Sequence, residues 1–599
     1  MSHRKPSADS IRRPWTERSL AFLFTTLATW PLLWNLPLLT RLADPTLDDC
    51  IYYWNDWWVF EALRAGTNPF FCTEVFHPHG TSLVLSPLAF PLTLVALPFQ
   101  LWLEPLHGAV VATKLCMFAS FPLAILGMAR FLRRTFSMAP WPAFAAGCLF
   151  AFLPFRMLHL GRVHYLMGAL VPWFLERLVT SLRGGGRKAY LGAGGFFALA
   201  GACDASLLPE MGLAGCAVVA FEWGRRGSIG PREFLQRAGW AFGCGGLFFA
   251  PLLIPMLFEL RANPGFDVVS QLRFEERPDS IQLAFSPDLN NLAWYTAPSL
   301  HEAAFPAGSG LAQGSAENRV IWSSMHGKAG GSGLGVFASA VLFLATIVAF
   351  LGGLRRELWP FLALGCLGAL LALGPFRRIG DSVVTMPHYW LAKGIPGLAA
   401  GRYVAANLRL CHLGLAIAVA FGVQRLWRWA GPGLVGLAAL ACLGWWARPF
   451  HYRPIEHEGV YEAVAADPAP GAIIDLPHDF RPNLRRMALG QVLHRRRMCG
   501  GPVTRVPPEL VRAFTEDLLP VPRLLAPPAP RTPEDPELQV EIAENERLLA
   551  EIGIRFVILR RRLLRDPAHL ARLRGYLECH PNLSVREIDG HLLVRVDHW

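Results

Sequence analysis

Long apolar runs recur along most of this chain, and they constrain its fold more than any other feature. Several runs reach the roughly 17–25 residues that cross a bilayer core of about 30 Å. Backbone polar groups have no water partners in lipid, so segments of this kind form helices. Hydrophobic residues make up 53% of the 599 positions, and charged residues only 17%. The sequence therefore predicts a polytopic α-helical membrane protein with about eleven transmembrane helices.

Basic residues predict the orientation of these helices. Five Lys or Arg side chains precede the first run and hold the N-terminus in the cytoplasm. The later basic turns all lie on the cytoplasmic side only if the run at 83–103 does not cross the membrane. That run contains Pro87, Pro91 and Pro98, so we expect a re-entrant or partly inserted segment. The net charge of +12 then reflects basic residues that orient the helices in the membrane, and we expect no nucleic-acid partner.

The apolar pattern divides the chain into a membrane part and a soluble part. Residues 1–447 are the expected transmembrane domain, with outer loops at 40–106 and 259–331, and residues 448–599 form an expected soluble α/β domain outside. That last region has β-type runs and an Asp589-Gly590 hairpin signal. The expected spans are 19–39, 107–131, 138–153, 164–182, 189–205, 208–223, 238–258, 332–351, 358–373, 410–427 and 431–446.

An acidic and aromatic stretch follows the first span. Four aspartates arrive within thirteen positions, and an aromatic helix with Trp54 and Trp57 begins among them. Indole rings prefer the boundary between membrane and water. We therefore predict that Asp48 and Asp49 lie in an active site on the outer face. Cys50 and Cys72 share this loop, and an oxidising compartment would allow a disulfide between them.

A second outer loop follows a span that ends Phe152-Leu153-Pro154-Phe155-Arg156. With Asp48-Asp49 and Trp57-Trp58, it resembles the GT-C class of membrane glycosyltransferases, and the oligosaccharyltransferase catalytic subunits in particular. The resemblance implies transfer of a sugar from a polyprenyl-phosphate carrier to a glycan, lipid or protein acceptor. It implies a multi-pass protein of a bacterial-type inner (plasma) membrane, in contact with membrane lipids.

The second loop also departs from that resemblance. In oligosaccharyltransferases it supplies acidic metal ligands, whereas here residues 156–164 read RMLHLGRVH and contain no acid. We therefore expect no cofactor, with a divalent cation left as an open alternative. The sequence fits better the metal-independent members that use polyprenyl-monophosphate sugars.

Glycosyl transfer needs a carboxylate to take the acceptor proton and cations to stabilise the leaving phosphate. Asp48 and Asp49 are the predicted catalytic residues. The predicted donor-phosphate ligands are Arg156, His159, Arg162, His164 and Arg402, with Arg409 nearby. The side chains expected to line the substrate cavity are Asp44, Trp54, Trp57, Asp204 and Glu210.

Other interpretations fit the same residues. Asp48 and Asp49 are also good helix caps, and the tryptophans are typical of an interfacial belt. A membrane transporter or lipid flippase would predict inverted repeats and interrupted helices, and no repeat is evident. A non-catalytic membrane scaffold would make the two aspartates dispensable.

Overall fold

The computed structural model describes residues 13–42, 48–153, 156–157, 159–226, 229–262, 358–372, 374, 376–379, 382–394, 404–444, 452–476, 481–503, 535–560 and 566–597. The predicted site residues Asp44 and Arg402 lie outside this set. So do the expected span at 332–351 and nearly all of the second large outer loop.

Helices dominate the part that would lie in the membrane. They are α1 Arg13–Ala28, α2 Trp30–Trp34, α3 Asp49–Arg64, α4 Phe90–Trp102, α5 Pro105–Phe136, α6 Pro140–Ala151, α7 Val163–Leu166, α8 Val171–Leu182, α9 Arg187–Cys203, α10 Leu207–Trp223, α11 Pro231–Ala262, α12 Trp359–Ala372, α13 Pro387–Gly394 and α14 Leu408–Gly444. A 3₁₀ turn, Met167–Leu170, joins α7 to α8. Proline begins several helices, because its fixed φ suits the first turn and its missing N–H would have no partner there.

Three helices among the described residues are long and apolar enough to cross a membrane. They are Pro105–Phe136, Pro231–Ala262 and the Leu408–Trp427 part of α14. Shorter apolar helices are Phe90–Trp102, Pro140–Ala151 and Trp359–Ala372. The described helices fit a polytopic membrane protein, and the number of about eleven spans stays a prediction.

The segment expected not to cross contains α4, a helix of 13 residues. At 1.5 Å per residue it is about 20 Å long, shorter than the bilayer core of about 30 Å. The chain reverses after Trp102, and α4 packs closely on the start of α5. A Cβ added at Gly108 would lie only 2.6 Å from the Gln100 nitrogen, so glycine permits this contact.

One expected boundary is wrong. The sequence predicts two spans, 410–427 and 431–446, with a turn between them, but the structure has the single helix α14 over this stretch. The expected turn lay at residues 428–430, and Pro432 follows it directly inside the second expected span. Proline in a membrane helix removes one backbone hydrogen bond, which neighbouring groups can compensate. Apolar residues on both sides favour continuing the helix, so the proline is accommodated within it.

The region after residue 451 contains a four-stranded sheet of β7 Ala472–Leu476, β8 Ile554–Leu559, β9 Leu583–Ile588 and β10 His591–Val596. Its order is β7-β8-β10-β9, with β7 parallel to β8 and the other pairs antiparallel. Asp589 and Gly590 both have positive φ and form the predicted hairpin turn. The helices of this region are α15 Gly459–Ala466, α16 Arg481–His494, α17 Pro536–Ile552 and α18 Pro567–Glu578.

The first outer loop packs against this sheet region and shares a hydrophobic core with it. Short strands β1 Thr40–Leu42 and β6 Tyr452–Pro454 pair antiparallel. Elsewhere, β4 Phe376–Ile379 and β5 Ser382–Thr385 form a separate antiparallel pair. Backbone hydrogen bonds join the hairpin of β2 Phe71–Cys72 and β3 Thr81–Ser82 to the sheet region, with Met498 N donating to Glu74 O at 2.9 Å. The predicted boundary at 447/448 therefore separates residues in sequence that pack together in space.

Trp54 and Trp57 lie in this shared core. They are 1% and 3% exposed, and Trp54 Nε1 donates to Gln491 Oε1 at 2.7 Å. The structure thus places neither tryptophan in a cavity wall or in an interfacial belt. Both indole rings are buried between α3 and the sheet region, where a large aromatic surface packs well. Cys50 and Cys72 are buried thiols in the same core, not joined by a disulfide.

Trp54→Ala is expected to lower the free energy of unfolding by about 3–5 kcal/mol, because it removes a fully buried indole and leaves Gln491 without its donor. Chemical denaturation in detergent measures the change. Trp102→Ala is the control, since Trp102 is 87% exposed and makes little packing contact. Equal effects of the two substitutions would contradict the shared core.

Candidate active site

Asp48 and Asp49 occupy different environments although they are adjacent. Asp49 is 1% exposed, and its Oδ2 accepts hydrogen bonds from Leu42 N at 3.0 Å and from the Tyr53 hydroxyl at 3.3 Å. It therefore ties β1 to α3. Asp48 precedes α3 but makes no capping hydrogen bond with its side chain. Its Oδ2 instead accepts from Arg162 Nε at 2.6 Å.

The second outer loop faces α3 across this ion pair. Tyr52, one turn after Asp48, forms a hydrogen bond through its hydroxyl with His164 Nδ1. The two rings lie 5.1 Å apart. Burial, followed by the negative charge of Asp48, raises the pKa of Tyr52 well above its usual value, so its phenol stays protonated. The structure therefore brings together Asp48, Arg162 and His164, three of the residues that the sequence assigns to the site.

Tyr165 links this contact to the interior of the helix bundle. The Arg162 guanidinium lies 5.7 Å from the Tyr165 ring centroid, and the Arg409 guanidinium lies 5.2 Å from it. His159, a predicted phosphate ligand, is 8% exposed and meets the same ring edge-on at 5.6 Å. Tyr165 thus supports three of the basic side chains around the site.

Asp204 and Glu210 form a buried ion cluster with Arg409. Arg409 Nη1 donates to Asp204 Oδ2 at 2.9 Å, and its Nε and Nη2 form a bidentate pair with Glu210 at 2.9 and 2.6 Å. The cluster joins the start of α10 to the start of α14. It places both predicted cavity carboxylates beside the site, where they share the single guanidinium of Arg409.

An open pocket lies next to this cluster. Its walls are mostly apolar, and its residues are Phe150, Leu153, Arg156, Tyr165, Gly168, Val171, Glu210, Arg409, Leu410, His412 and Leu413. Apolar walls with a few convergent polar groups are typical of ligand sites.

Arg156 places a buried positive charge in the wall of that pocket. It is 5% exposed, and its guanidinium donates to Ala151 O at 2.9 Å, Leu166 O at 2.7 Å, and the Ser120 carbonyl and hydroxyl at 3.2 and 3.1 Å. No carboxylate of the described residues forms an ion pair with Arg156. The helix carbonyls hold the cation in position, and none of the described carboxylates neutralises its charge.

Sequence patterns alone did not single out Tyr52 and Tyr165. The signal for Tyr52 is its position four residues after Asp48 on a helix, which puts both on one face. Tyr165 follows His164 directly, and no spacing distinguishes it from other aromatic residues.

The site suits a divalent cation poorly. A metal between the two outer loops would need acidic ligands from both, as the oligosaccharyltransferase resemblance implies. Here the Asp48 carboxylate meets the guanidinium of Arg162, and the second loop offers no acid. No group of three or more His, Cys, Asp or Glu in the described part of the chain has metal-binding geometry.

Known proteins give one informative comparison. No protein-family model and no curated protein matches the chain. Among solved structures, arabinofuranosyltransferase AftD from Mycobacteria is similar over 100% of this chain, with a TM-score of 0.56 and 17% sequence identity. The chain has the GT-C fold. It spans 42% of the length of the AftD chain, so the likeness concerns the fold and not the whole of that protein.

The archaeal oligosaccharyltransferase AglB from Archaeoglobus fulgidus is also similar, with a TM-score of 0.47 and 12% identity. This match covers 96% of the present chain and 72% of AglB. The similarity is too weak to support a conclusion beyond that drawn from AftD. The fold shared with AftD fits the family resemblance of the two outer loops.

Proposed function

We propose that this GT-C chain is a membrane glycosyltransferase that moves a sugar from a polyprenyl-phosphate carrier to an acceptor on the outer face. The observation that carries the proposal is the 2.6 Å contact between Asp48 and Arg162. It joins the two outer loops beside an apolar pocket whose wall holds the buried charge of Arg156. Tyr165, whose ring lies 5.7 Å from the Arg162 guanidinium, also borders that pocket and so links the base and its cation to Arg156.

Asp48 is the proposed general base. The acceptor hydroxyl attacks the anomeric carbon, its proton passes to the Asp48 carboxylate, and the bond from that carbon to the phosphate oxygen breaks. The electron pair of that bond remains on the departing polyprenyl phosphate. Arg162 holds Asp48 until the donor arrives, and the donor phosphate then competes for its guanidinium. Release from Arg162 makes Asp48 a stronger base, because a paired cation lowers carboxylate basicity.

Arg156 is the proposed fixed ligand of the donor phosphate. Its counter-ion is missing among the described residues, and a phosphate would supply one in a site of low dielectric constant. The apolar walls formed by Phe150, Leu153 and Leu413 suit the first isoprene units of the carrier. Arg409 is already paired with two acids, so its proposed role is to position α10 and α14 around the pocket.

The compartment follows from the same proposal. A polyprenyl-phosphate sugar presented at the outer leaflet requires the two outer loops and the sheet region on the outer side of a bacterial-type inner membrane. The cytoplasmic N-terminus predicted from the basic residues agrees with this arrangement. The acceptor is a glycan, lipid or protein carrying a free nucleophile.

Arg156→Gln is expected to raise the KM for the donor by about ten- to a hundredfold, since a hydrogen bond to a charged group contributes about 1.5–3 kcal/mol. Transfer of labelled sugar from a polyprenyl-phosphate donor in reconstituted vesicles measures it. Arg156→Lys keeps the charge and should recover part of the loss.

Ser120→Ala is the matched control, because it removes the hydroxyl partner of Arg156 and leaves the charge. Its donor KM should stay within a few fold of the wild type. A folded Arg156→Gln protein with unchanged donor KM and turnover would exclude Arg156 from the site. A wild-type protein that transfers no sugar from any polyprenyl-phosphate donor would favour the transporter or scaffold interpretation.

A further inference from the structure

Three arginines converge on one buried glutamate where the last two turns of α5 pack against the middle of α8. Glu176 is 0% exposed. Its Oε1 lies 3.2 Å from Arg130 Nε and 3.0 Å from Arg134 Nε, and its Oε2 lies 3.4 Å from Arg177 Nε. These four side chains, which we call the Glu176 cluster, hold three positive charges against one negative charge. The topology predicted from the basic residues puts the cluster near the cytoplasmic side.

One carboxylate does not satisfy three guanidinium groups, each of which has several N–H donors. Arg130 Nε is buried and lies 3.2 Å from Glu176, yet it has no hydrogen-bond partner among the described residues. Glu176 is also the one acid of the described residues that forms an ion pair with any of the three arginines. Their side chains are 36%, 48% and 32% exposed, so part of each guanidinium reaches the surface of the helix bundle. Such a surface attracts an anion.

An apolar strip lies on the bundle surface next to the cluster. The Arg130 guanidinium lies 5.8 Å from the Trp173 ring centroid, and that ring stacks on Phe196 of α9 at 5.9 Å. Trp173 Nε1 donates to Leu123 O of α5 at 2.9 Å. Leu123 and Leu199 are 37% and 42% exposed, and Leu199 lies one turn after Phe196 on the same face of α9. The strip therefore joins α5, α8 and α9 in one exposed apolar surface.

The cluster and the strip lie at different depths along the helices. Seven residues of α5 separate Leu123 from Arg130, which at 1.5 Å per residue is about 10 Å. Arg134 lies one turn further and donates to Thr180 Oγ1 of α8 at 3.2 Å, so the two helices run side by side in the same direction. Basic groups near the membrane boundary, with apolar groups about 10 Å deeper, match the head group and acyl chain of a phospholipid.

We propose that the Glu176 cluster binds the phosphate of an anionic phospholipid in the predicted cytoplasmic leaflet, with an acyl chain along the apolar strip. Guanidinium groups suit phosphate oxygens in charge and in geometry. A head group with a net negative charge balances the cluster, whereas a zwitterionic one brings its own ammonium group. The proposed active site precedes α8 and this site lies along it, so lipid binding does not depend on sugar transfer.

Electron spin resonance tests the site in phosphatidylcholine vesicles, with spin-labelled phosphatidylglycerol and spin-labelled phosphatidylcholine as probes. The wild-type protein is expected to prefer phosphatidylglycerol by about five- to thirtyfold, the effect of one or two basic residues beside an anionic lipid. The double variant Arg130→Gln, Arg177→Gln removes the excess charge and leaves Arg134 paired with Glu176. Its preference should fall to about one. Arg130→Lys, Arg177→Lys keeps the charge and should retain most of the preference.

Two further variants separate a built site from general attraction. Arg225→Gln, Arg226→Gln is the matched control, because it removes the same charge from the turn after α10, which is predicted to lie on the same side of the membrane. Its preference should equal that of the wild type. Leu199→Gln makes the strip polar without touching a guanidinium, and it should weaken binding of phosphatidylglycerol. Because Leu199 is exposed, this variant should fold like the wild type and tests the site even if the arginine variants do not fold.

Three results would overturn the inference. The first is equal binding of the two spin-labelled lipids by the wild type. The second is the same loss of preference in Arg225→Gln, Arg226→Gln as in Arg130→Gln, Arg177→Gln, which would indicate charge attraction without a defined site. The third is displacement of spin-labelled phosphatidylglycerol by inorganic phosphate beyond that by chloride at equal ionic strength, which would make a free anion the ligand.

Discussion

Asp48→Asn is expected to lower the rate of sugar transfer by about 10²–10⁴-fold, because a positioned general base contributes typically that much. Asparagine keeps the shape of the side chain and an oxygen that can still accept from Arg162. The fold and the donor KM should therefore change little. Transfer from a labelled polyprenyl-phosphate sugar in vesicles measures the rate, and thermal unfolding in detergent checks the fold.

Asp49→Asn is the matched control, since it is the same substitution one residue later. An amide oxygen can still accept from Leu42 N, so folded Asp49→Asn protein should retain most of its activity. A loss of activity in Asp49→Asn with full activity in Asp48→Asn would reverse the assignment of the base. Full activity in the double variant would refute a catalytic role for either residue.

The sequence predicted which loops meet but not which aspartate faces the site. Asp48 and Arg162 both follow expected spans that the basic residues orient toward the outer side, so their proximity could be predicted from that topology. Adjacent residues on a helix point about 100° apart, and only the neighbours decide which of them faces the site. Those neighbours are Leu42, Tyr53 and the second loop, and the sequence does not place them.

The aromatic helix α3 shows a second limit of prediction from the sequence. Trp54 and Trp57 have the composition of an interfacial belt, yet they pack in a core with residues more than 400 positions later, such as Gln491. A belt and a core contain the same residue types, because both take up aromatic surface. Long-range partners distinguish the two, and periodicity carries no information about them.

The membrane part of the fold was easier to predict than its interruptions. Most expected spans agree with described helices to within a few residues, because length and apolar composition define both. The expected turn at 428–430 failed, because the helix continues through it and through Pro432, which a membrane helix tolerates. The 3₁₀ turn after α7 also has no clear sequence signal, although it sits at the site.

Arg409→Met is expected to lower the free energy of unfolding by about 3–5 kcal/mol, because it leaves Asp204 and Glu210 buried without their cation. Denaturation in mixed detergent micelles measures the loss. Arg547→Met is the control, since its pair with Glu551 is exposed and contributes at most about 1 kcal/mol.

Neutralising the two acids should reverse most of that loss. The triple variant Arg409→Met, Asp204→Asn, Glu210→Gln removes every charge of the cluster, and a buried ionic group replaced as a whole often costs little stability. Such coupling is expected, since the three side chains share one set of hydrogen bonds. If the triple variant is instead as unstable as Arg409→Met alone, the loss comes from packing around Tyr165 and not from unpaired carboxylates. Recovery of stability without recovery of donor binding would show that the charges of this cluster serve the site as well as the fold.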